Sequence, residues 1–309
     1  MMDDKTGIIK GLREGFRISV LSLEPISKGF SEDEKYCVTA ADGTRLLLRI
    51  SDLSLLARKK TEKRLMQQVA ALGVPMSKSL GVFQWQERVY SLFSWCPGED
   101  AGQVLPGLPV GRQYALGEET GRYLRLIHSI PAPSSPEDWA IRFSRKMDVK
   151  ISTYRTSSVN FPGDALILDY LEANRHLLKD RPQSFQHGDY HTGNMVIDQE
   201  KSICILDFDR FDQGDPWEEF NRIVWSAKTS PAFATGQLDG YFGGRPPDAF
   251  FRLLALYIAS NTLSSIPWAV PRGEQELKIM LDQAKDVLAW FREMTEPVPA
   301  WYQPPGRKG

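Results

Sequence analysis

The chain has 309 residues, 42% of them hydrophobic and 25% charged, with a formal net charge of −1. That length buries a large core and suits one big domain or two lobes. The composition excludes a disordered or fibrous chain, and the near-neutral charge argues against generic nucleic-acid binding. The charge is uneven: residues 1–94 carry 15 Lys and Arg against 11 acids, and residues 95–309 carry 23 against 28. Polyanion binding by the first part and cation binding by the second fit this asymmetry, as does an unevenly solvated surface. Three cysteines, Cys37, Cys96 and Cys204, are odd in number and widely spaced, and read as reduced core residues. The N-terminus has no apolar core of signal-peptide length, and no apolar run approaches transmembrane length. The expectation is a cytoplasmic protein with neither membrane nor nucleic-acid partner.

In chain order, residues 6–14 suit a short helix, and Phe16 to Glu24 alternates as a strand does. A second strand is expected over Lys35 to Ala41 and a third over Arg45 to Ile50, joined at the Asp42-Gly43 turn. Ser54 to Leu72 has helical spacing and stops at Gly73-Val74-Pro75; two more strands fall near 79–84 and 88–93. The run Ser94-Trp95-Cys96-Pro97-Gly98 breaks the pattern and marks a boundary, giving an N-lobe over 1–95 and a C-lobe over 96–309. Beyond it, helices are expected at 111–130, 139–154, 164–179, 216–228, 231–241, 247–263 and 273–294, with short strands at Met195-Val196-Ile197 and Ile203–Leu206.

The stretch 185–220 holds the chemistry. His187-Gly188-Asp189 is followed by Asn194, and Asp207-Phe208-Asp209 follows an apolar run. Carboxylates at the ends of buried strands are costly unless they perform a task such as holding a cation. A base, an amide oxygen and a second carboxylate on strand ends suit phosphoryl transfer with Mg²⁺. An Asx turn between two strands is the plainer account of Asp189 and Asn194 alone. The string His187, Asp189, His191 also resembles a zinc site, but the other two histidines, His128 and His176, lie in expected helices without a partner at i+4.

The segment from His187 to Asn194 resembles the H-G-D-x-x-x-x-N loop of the aminoglycoside phosphotransferases. Ile205-Leu206-Asp207-Phe208-Asp209 resembles their metal-binding segment, and Gly214-Asp215-Pro216 the turn that often follows. Kinases for choline, homoserine, methylthioribose and fructosamine share the pattern. The resemblance implies an α+β, two-lobed protein-kinase-like fold with a small β-rich N-lobe and a larger, mostly helical C-lobe. It implies Asp189 as the base, Asn194 and Asp207 as Mg²⁺ ligands, His187 as a brace, and Asp209 near the metals or bonded locally. ATP or GTP would be the phosphate donor. Arg49 stands where a phosphate-binding lysine is usual, with Glu62 as its partner, unless Glu62 pairs locally with Lys59, Lys60 or Lys63. Gly29 and Ser31, in Lys28-Gly29-Phe30-Ser31, would cover the phosphates, and Ser94, Trp95 and Cys96 would lie against the base of the nucleotide.

Residues 187–220 contain nine acids and two basic residues. This excess suggests a cationic small-molecule acceptor, an amine-rich sugar by family resemblance, met by Glu218 or Glu219 with Asp169 or Glu172. Acids opening a helix are favoured by its dipole in any case. Trp217, Trp225, Trp268 and Tyr257 are candidates to stack on such an acceptor, or core residues.

Overall fold

The computed structural model describes residues 2–27, 29, 32–132 and 136–304. It divides into two compact units, one formed by 1–98 with 196–209 and the other by 99–195 with 210–309.

The first unit opens with helix α1 (Met2–Phe16) and a five-stranded antiparallel sheet, order β1-β2-β3-β5-β4. Its strands are β1 (Val20–Pro25), β2 (Glu34–Ala40), β3 (Arg45–Asp52), β4 (Ser79–Trp85) and β5 (Arg88–Ser94). Helix α2 (Leu56–Ala71) links β3 to β4. The Asp42-Gly43 turn forms as expected: Gly43 takes φ 85° and Asp42 Oδ1 accepts from the Thr44 N–H at 2.9 Å. The first strand starts later than its alternation suggests, at Val20. Ile8, Leu12 and Phe16 recur every four residues, so Phe16 completes the apolar face of α1. Ile8 and Leu12 join Val38, Leu48 and Leu92 in the sheet's core, and the Phe16 ring meets Phe83 edge-on at 6.2 Å.

The chain enters the second unit through β6 (Glu99–Asp100), α3 (Ala101–Val104), α4 (Val110–Ile127), α5 (Trp139–Arg155), α6 (Asp164–Asn174) and β7 (Ser184–Gln186). A 3₁₀ turn over Thr192–Asn194 leads into β8 (Met195–Ile197), where the chain crosses back to the first unit. There β9 (Ile203–Ile205) joins the segment after α2: the Ile205 N–H donates to Pro75 O at 2.9 Å and Ser77 N–H to Ile205 O at 3.1 Å. The Cys96 and Cys204 sulfurs are bonded to each other, and Cys37 is free and buried. This corrects the reading of three reduced cysteines. The pair is 108 residues apart in sequence, so no spacing announces it.

The second unit resumes with β10 (Asp212–Gly214), antiparallel to β7, then a 3₁₀ turn over Glu218–Arg222. Helices α7 (Ile223–Thr229), α8 (Pro231–Phe242), α9 (Asp248–Ala269) and α10 (Glu274–Trp290) follow. Contrary to the sequence reading, one helix, Asp248–Arg272, is long and apolar enough to cross a membrane by length and composition. Two thirds of that window is buried, against α5, α6 and α10 among others. Helices α4 and α8 approach closely enough to require glycine on both sides. A Cβ at Gly121 would stand 2.2 Å from Gln237 O, and one at Gly236 2.2 Å from Tyr114 O. Gly121→Ala should therefore lower the unfolding free energy by about 1–3 kcal/mol through overpacking. Gly111→Ala, with nothing within 4 Å of its Cβ, should be neutral or slightly stabilising. Urea unfolding of the two variants checks both.

Candidate active site

The loop after β7 is built on Gly188. Its φ is 85°, and a Cβ there would lie 1.9 Å from the backbone oxygen of Arg210, so no other residue fits. The Gly188 N–H donates to both carboxylate oxygens of Glu219, at 2.9 and 3.1 Å. Glu219 is 2% exposed, with His128 Nε2 at 3.6 Å. Burial alone would push its carboxyl up, but His128, the neighbouring His187 imidazole and the Gly188 amide hold it below the usual carboxylate range. His187 is fully buried and its Nδ1 accepts from the Asp189 N–H at 3.2 Å. A buried carboxylate and a buried imidazole thus fix the backbone that carries Asp189.

Around the Asp189 carboxylate stand His191 at 3.6 Å, Arg222 at 3.3 Å and Arg210 at 3.9 Å. Burial opposes its ionisation, but the His191 contact and the charges of Arg222 and Arg210 outweigh it, holding the carboxyl well below the usual range. Asn194 Nδ2 donates to Asp189 O at 2.9 Å and to Oδ2 at 3.1 Å. That anchorage turns Asn194 Oδ1 away from Asp189 as an acceptor without a partner among the described residues.

In the first unit, Arg49 on β3 is 3% exposed and gathers three carboxylates: Asp33 at 2.9 Å, Asp207 at 2.7 Å and Asp209 at 3.0 Å. Lys59 on α2 bonds Asp33 at 2.9 Å and Asp209 at 2.6 Å, and lies 3.7 Å from Glu62. Glu62 is buried, its Oε2 has no hydrogen-bond partner, and burial raises its carboxyl above the usual range against the pull of Lys59 and Arg49. Glu62 therefore has its lysine neighbour within its own helix, one of the two pairings open from the sequence. Asp209 bonds locally to Lys59 and Arg49. Asp207 sits at φ 61°, a left-handed conformation that costs a non-glycine residue about 1 kcal/mol or more. Its Oδ1 takes the Arg49 bond, and Oδ2 has no partner among the described residues.

Asn194 and Asp207 each thus keep one hard oxygen. Among the described residues no three His, Cys, Asp or Glu side chains form a metal cluster. One or two protein oxygens with the rest supplied by phosphates and water suits Mg²⁺ and does not suit zinc.

The other expected residues are placed as follows. Gly29 takes φ 91° with Lys35 Nζ beside it, while Ser31, Lys28 and Phe30 lie outside the described residues. Ser94 O accepts from Ser77, and Ser94 Oγ accepts from the Lys78 N–H. The Arg45 guanidinium stacks on Trp95 at 4.3 Å. Cys96 carries the bond to Cys204. Glu218 lies 3.4 Å from Lys146. Glu172 chelates Arg175, which also bonds Asp148, and Asp169 is exposed on α6. Tyr257 is core, donating to the buried Asp215 at 2.6 Å, and the Arg181 guanidinium covers Trp217 at 3.9 Å. Trp225 lies beside His191 at 6.4 Å, and Arg272 stacks on Trp268 at 4.1 Å. Sequence reasoning missed Asp33, Lys59 as an ion-cluster member, and Arg222. Only Arg222 had a signal: it lies three residues beyond Glu219, one 3₁₀ turn along.

A sequence profile of the phosphotransferase enzyme family matches residues 22–251. The chain belongs to that family. No curated protein sequence matches it significantly. Solved structures share its fold. A thermostable mutant of aminoglycoside phosphotransferase APH(4)-Ia, in ternary complex with ADP and hygromycin B, is 17% identical with a TM-score of 0.67, covering 94% of this chain and 99% of its own. A choline/ethanolamine kinase family protein from Mesorhizobium loti is 16% identical with a TM-score of 0.69, covering 96% and 98%. The amicoumacin kinase hAmiN, in complex with AMP-PNP, Ca²⁺ and Ami, is 14% identical with a TM-score of 0.65, covering 96% and 95%. The fold is α+β and protein-kinase-like, with a sheet-bearing N-lobe and a helical C-lobe, and the chain is a small-molecule phosphotransferase.

The depressed Asp189 carboxyl gives a stability signature. Its contribution is fully present above the unfolded value of about 4 and is lost as pH falls through the lower folded value. The difference in unfolding free energy between the wild type and Asp189→Asn should be constant from about pH 5 to 8 and shrink below about pH 4. Denaturant titrations across that range measure it.

Proposed function

We propose that the protein transfers the γ-phosphoryl group of ATP or GTP to a hydroxyl of a small molecule, with Asp189 as the base. The observation that carries this reading is Asp189 itself: ionised, 19% exposed at the side chain, and set on a loop whose backbone Glu219 and His187 hold. The acceptor oxygen forms a bond to Pγ, the bond from Pγ to the bridging oxygen of the β-phosphate breaks, and the hydroxyl proton passes to Asp189. The nucleoside diphosphate leaves. Asn194 Oδ1 and Asp207 Oδ2 would hold Mg²⁺, which when bound neutralises charge on the nucleotide phosphates. Arg49, held charged by Asp207, Asp209 and Asp33 against its burial, would add a planar donor fork toward the same phosphates. Gly29 would add a backbone donor, and Ser94, Trp95 and Cys96 would border the nucleotide base.

An amine-rich sugar acceptor is the second reading, and the hygromycin B complex of the APH(4)-Ia mutant favours it by kinship. The carboxylates available to bind such amines are few. Glu219 is committed to Gly188, Glu218 to Lys146 and Gln186, and Glu172 to Arg175, leaving Asp169 exposed.

Release of ADP or GDP dependent on a hydroxyl acceptor, followed in a coupled assay, tests the reaction. Asp189→Asn should lower kcat by about 10²–10⁴ and leave the nucleotide KM within about twofold. Equal turnover by the variant would refute the assignment of Asp189 as the base.

A further inference from the structure

His191 follows Asp189 by two residues and caps the 3₁₀ turn that carries Asn194. Its backbone is extended, at φ −152° and ψ 170°, and its Nδ1 accepts from the Gly193 N–H at 3.1 Å. A ring nitrogen that accepts carries no proton, so the neutral imidazole bears its proton on Nε2. That nitrogen faces the proposed base, 3.6 Å from Asp189 Oδ1. The turn is fitted to the ring. A Cβ on Gly193 would stand 2.7 Å from His191 Cε1 and 3.1 Å from Nδ1, so a larger residue there would press the ring out of place. On α7 the Trp225 ring lies beside the imidazole, centroids 6.4 Å apart, and Ser226 Oγ accepts from the Thr192 N–H at 3.3 Å. Helix α7 thus pins the turn on which the ring sits.

The two oxygens of Asp189 are held differently. Oδ2 accepts from Asn194 Nδ2 at 3.1 Å. Oδ1 faces Arg222 Nε at 3.3 Å, but that N–H makes no hydrogen bond, so Arg222 acts on it by charge alone. His191 Nε2–H is then the donor whose sense the fold fixes toward Oδ1. At 3.6 Å the pair is a charge–dipole contact rather than a hydrogen bond. Contacts of this kind often shorten to hydrogen bonds in the Michaelis complex. A base must also keep one orientation while the reacting hydroxyl is brought in line with the phosphorus.

We infer that His191 is a positioning residue for Asp189: its Nε2–H, aimed at Oδ1, fixes the orientation of the carboxylate that receives the acceptor proton. This rests on the phosphotransferase reading and adds a residue to it. His191 keeps its own proton throughout; the hydroxyl proton passes to Asp189 as the acceptor oxygen bonds to Pγ. The plainer account is that His191 only caps the turn, through Nδ1. The two roles fall on different nitrogens of one ring, so different substitutions separate them.

His191→Asn keeps the cap, because its side-chain oxygen accepts from the Gly193 N–H, but its amide is too short to reach Asp189. His191→Gln carries an N–H one bond further, toward Asp189, and gives up the cap. ADP release by the full chain is followed with ATP and Mg²⁺ on glucosamine, choline and homoserine, and with water as the acceptor where none is turned over. His191→Gln should keep kcat within about threefold, and His191→Asn should lower it about tenfold or more, with the KM for ATP within about twofold in both. The opposite order, with Asn active and Gln impaired, would assign His191 to the cap and overturn the inference. Equal loss in the two, or no loss in either, also overturns it, as does a raised acceptor KM at unchanged kcat, which would make His191 an acceptor contact. A second measurement needs neither nucleotide nor acceptor. Long-range proton–nitrogen correlation spectra of the labelled protein report the tautomer of each of its four histidines, and the His191 signals are those that His191→Gln removes. Neutral His191 should carry its proton on Nε2; a proton on Nδ1 overturns the inference. Absence of ADP release by the wild type under all these conditions would refute the phosphotransferase reading, and the spectrum would still decide how His191 faces Asp189.

Discussion

The bond on which the candidate site depends is the one from the Gly188 amide to the buried carboxylate of Glu219. It joins a left-handed glycine, which only a residue without Cβ can supply, to an acid kept ionised inside the protein by His128 and by that amide. The clamp settles more than the loop. Glu219 lies in the 3₁₀ turn Glu218–Arg222, where residues three apart stack above one another. Anchoring Glu219 to Gly188 therefore also brings Arg222 to Asp189, one residue further along the loop. One buried acid sets both the base and the cation beside it.

Acidic composition did not become acidic surface. Asp212 is taken by Arg142, Asp215 by Arg181 and Tyr257, Glu218 by Lys146, and Asp209 by Lys59 and Arg49. Each of these cations comes from an element remote in sequence from the acid it meets. A local count of charges over 187–220 is blind to them, so it points toward a cation-seeking surface that the fold has already neutralised. What the folded chain leaves over near Asp189 is positive charge. The first unit differs: there Arg49 and Lys59 sit among Asp33, Glu62, Asp207 and Asp209, and Asp207 Oδ2 is a carboxylate oxygen without a partner among the described residues.

The parts of this architecture legible in the sequence are those written in local periodicity and in turn chemistry. Alternation over β2 and β3, the Asp42-Gly43 turn and the four-residue spacing of α4, α5 and α10 need no long-range information. The loop from His187 to Asn194 was legible because the chemistry needs those residue types at that spacing. Phe16 shows the limit: it satisfies a strand's alternation and a helix's four-residue step together, and packing against Phe83 decides for the helix. Asp33 stands in the turn before β2, sixteen residues from Arg49, with nothing in its neighbours to mark it as an ion-pair partner.

The first unit is assembled from two pieces of chain, 1–98 and 196–209, with 97 residues of the second unit between them. The later piece carries β9, which bonds to Pro75 and Ser77, and the Cys204 that reaches Cys96. It also brings Asp207 and Asp209, the acids that Arg49 and Lys59 face. During synthesis, residues 1–98 emerge first and have the sheet but not these partners, so Arg49 and Lys59 wait with Asp33 and Glu62 while the next 97 residues are made. The ion cluster closes only when just over two thirds of the chain has left the ribosome. Completion of the first unit is thereby tied to passage through much of the second, and a chain truncated before residue 196 cannot present the cluster at all.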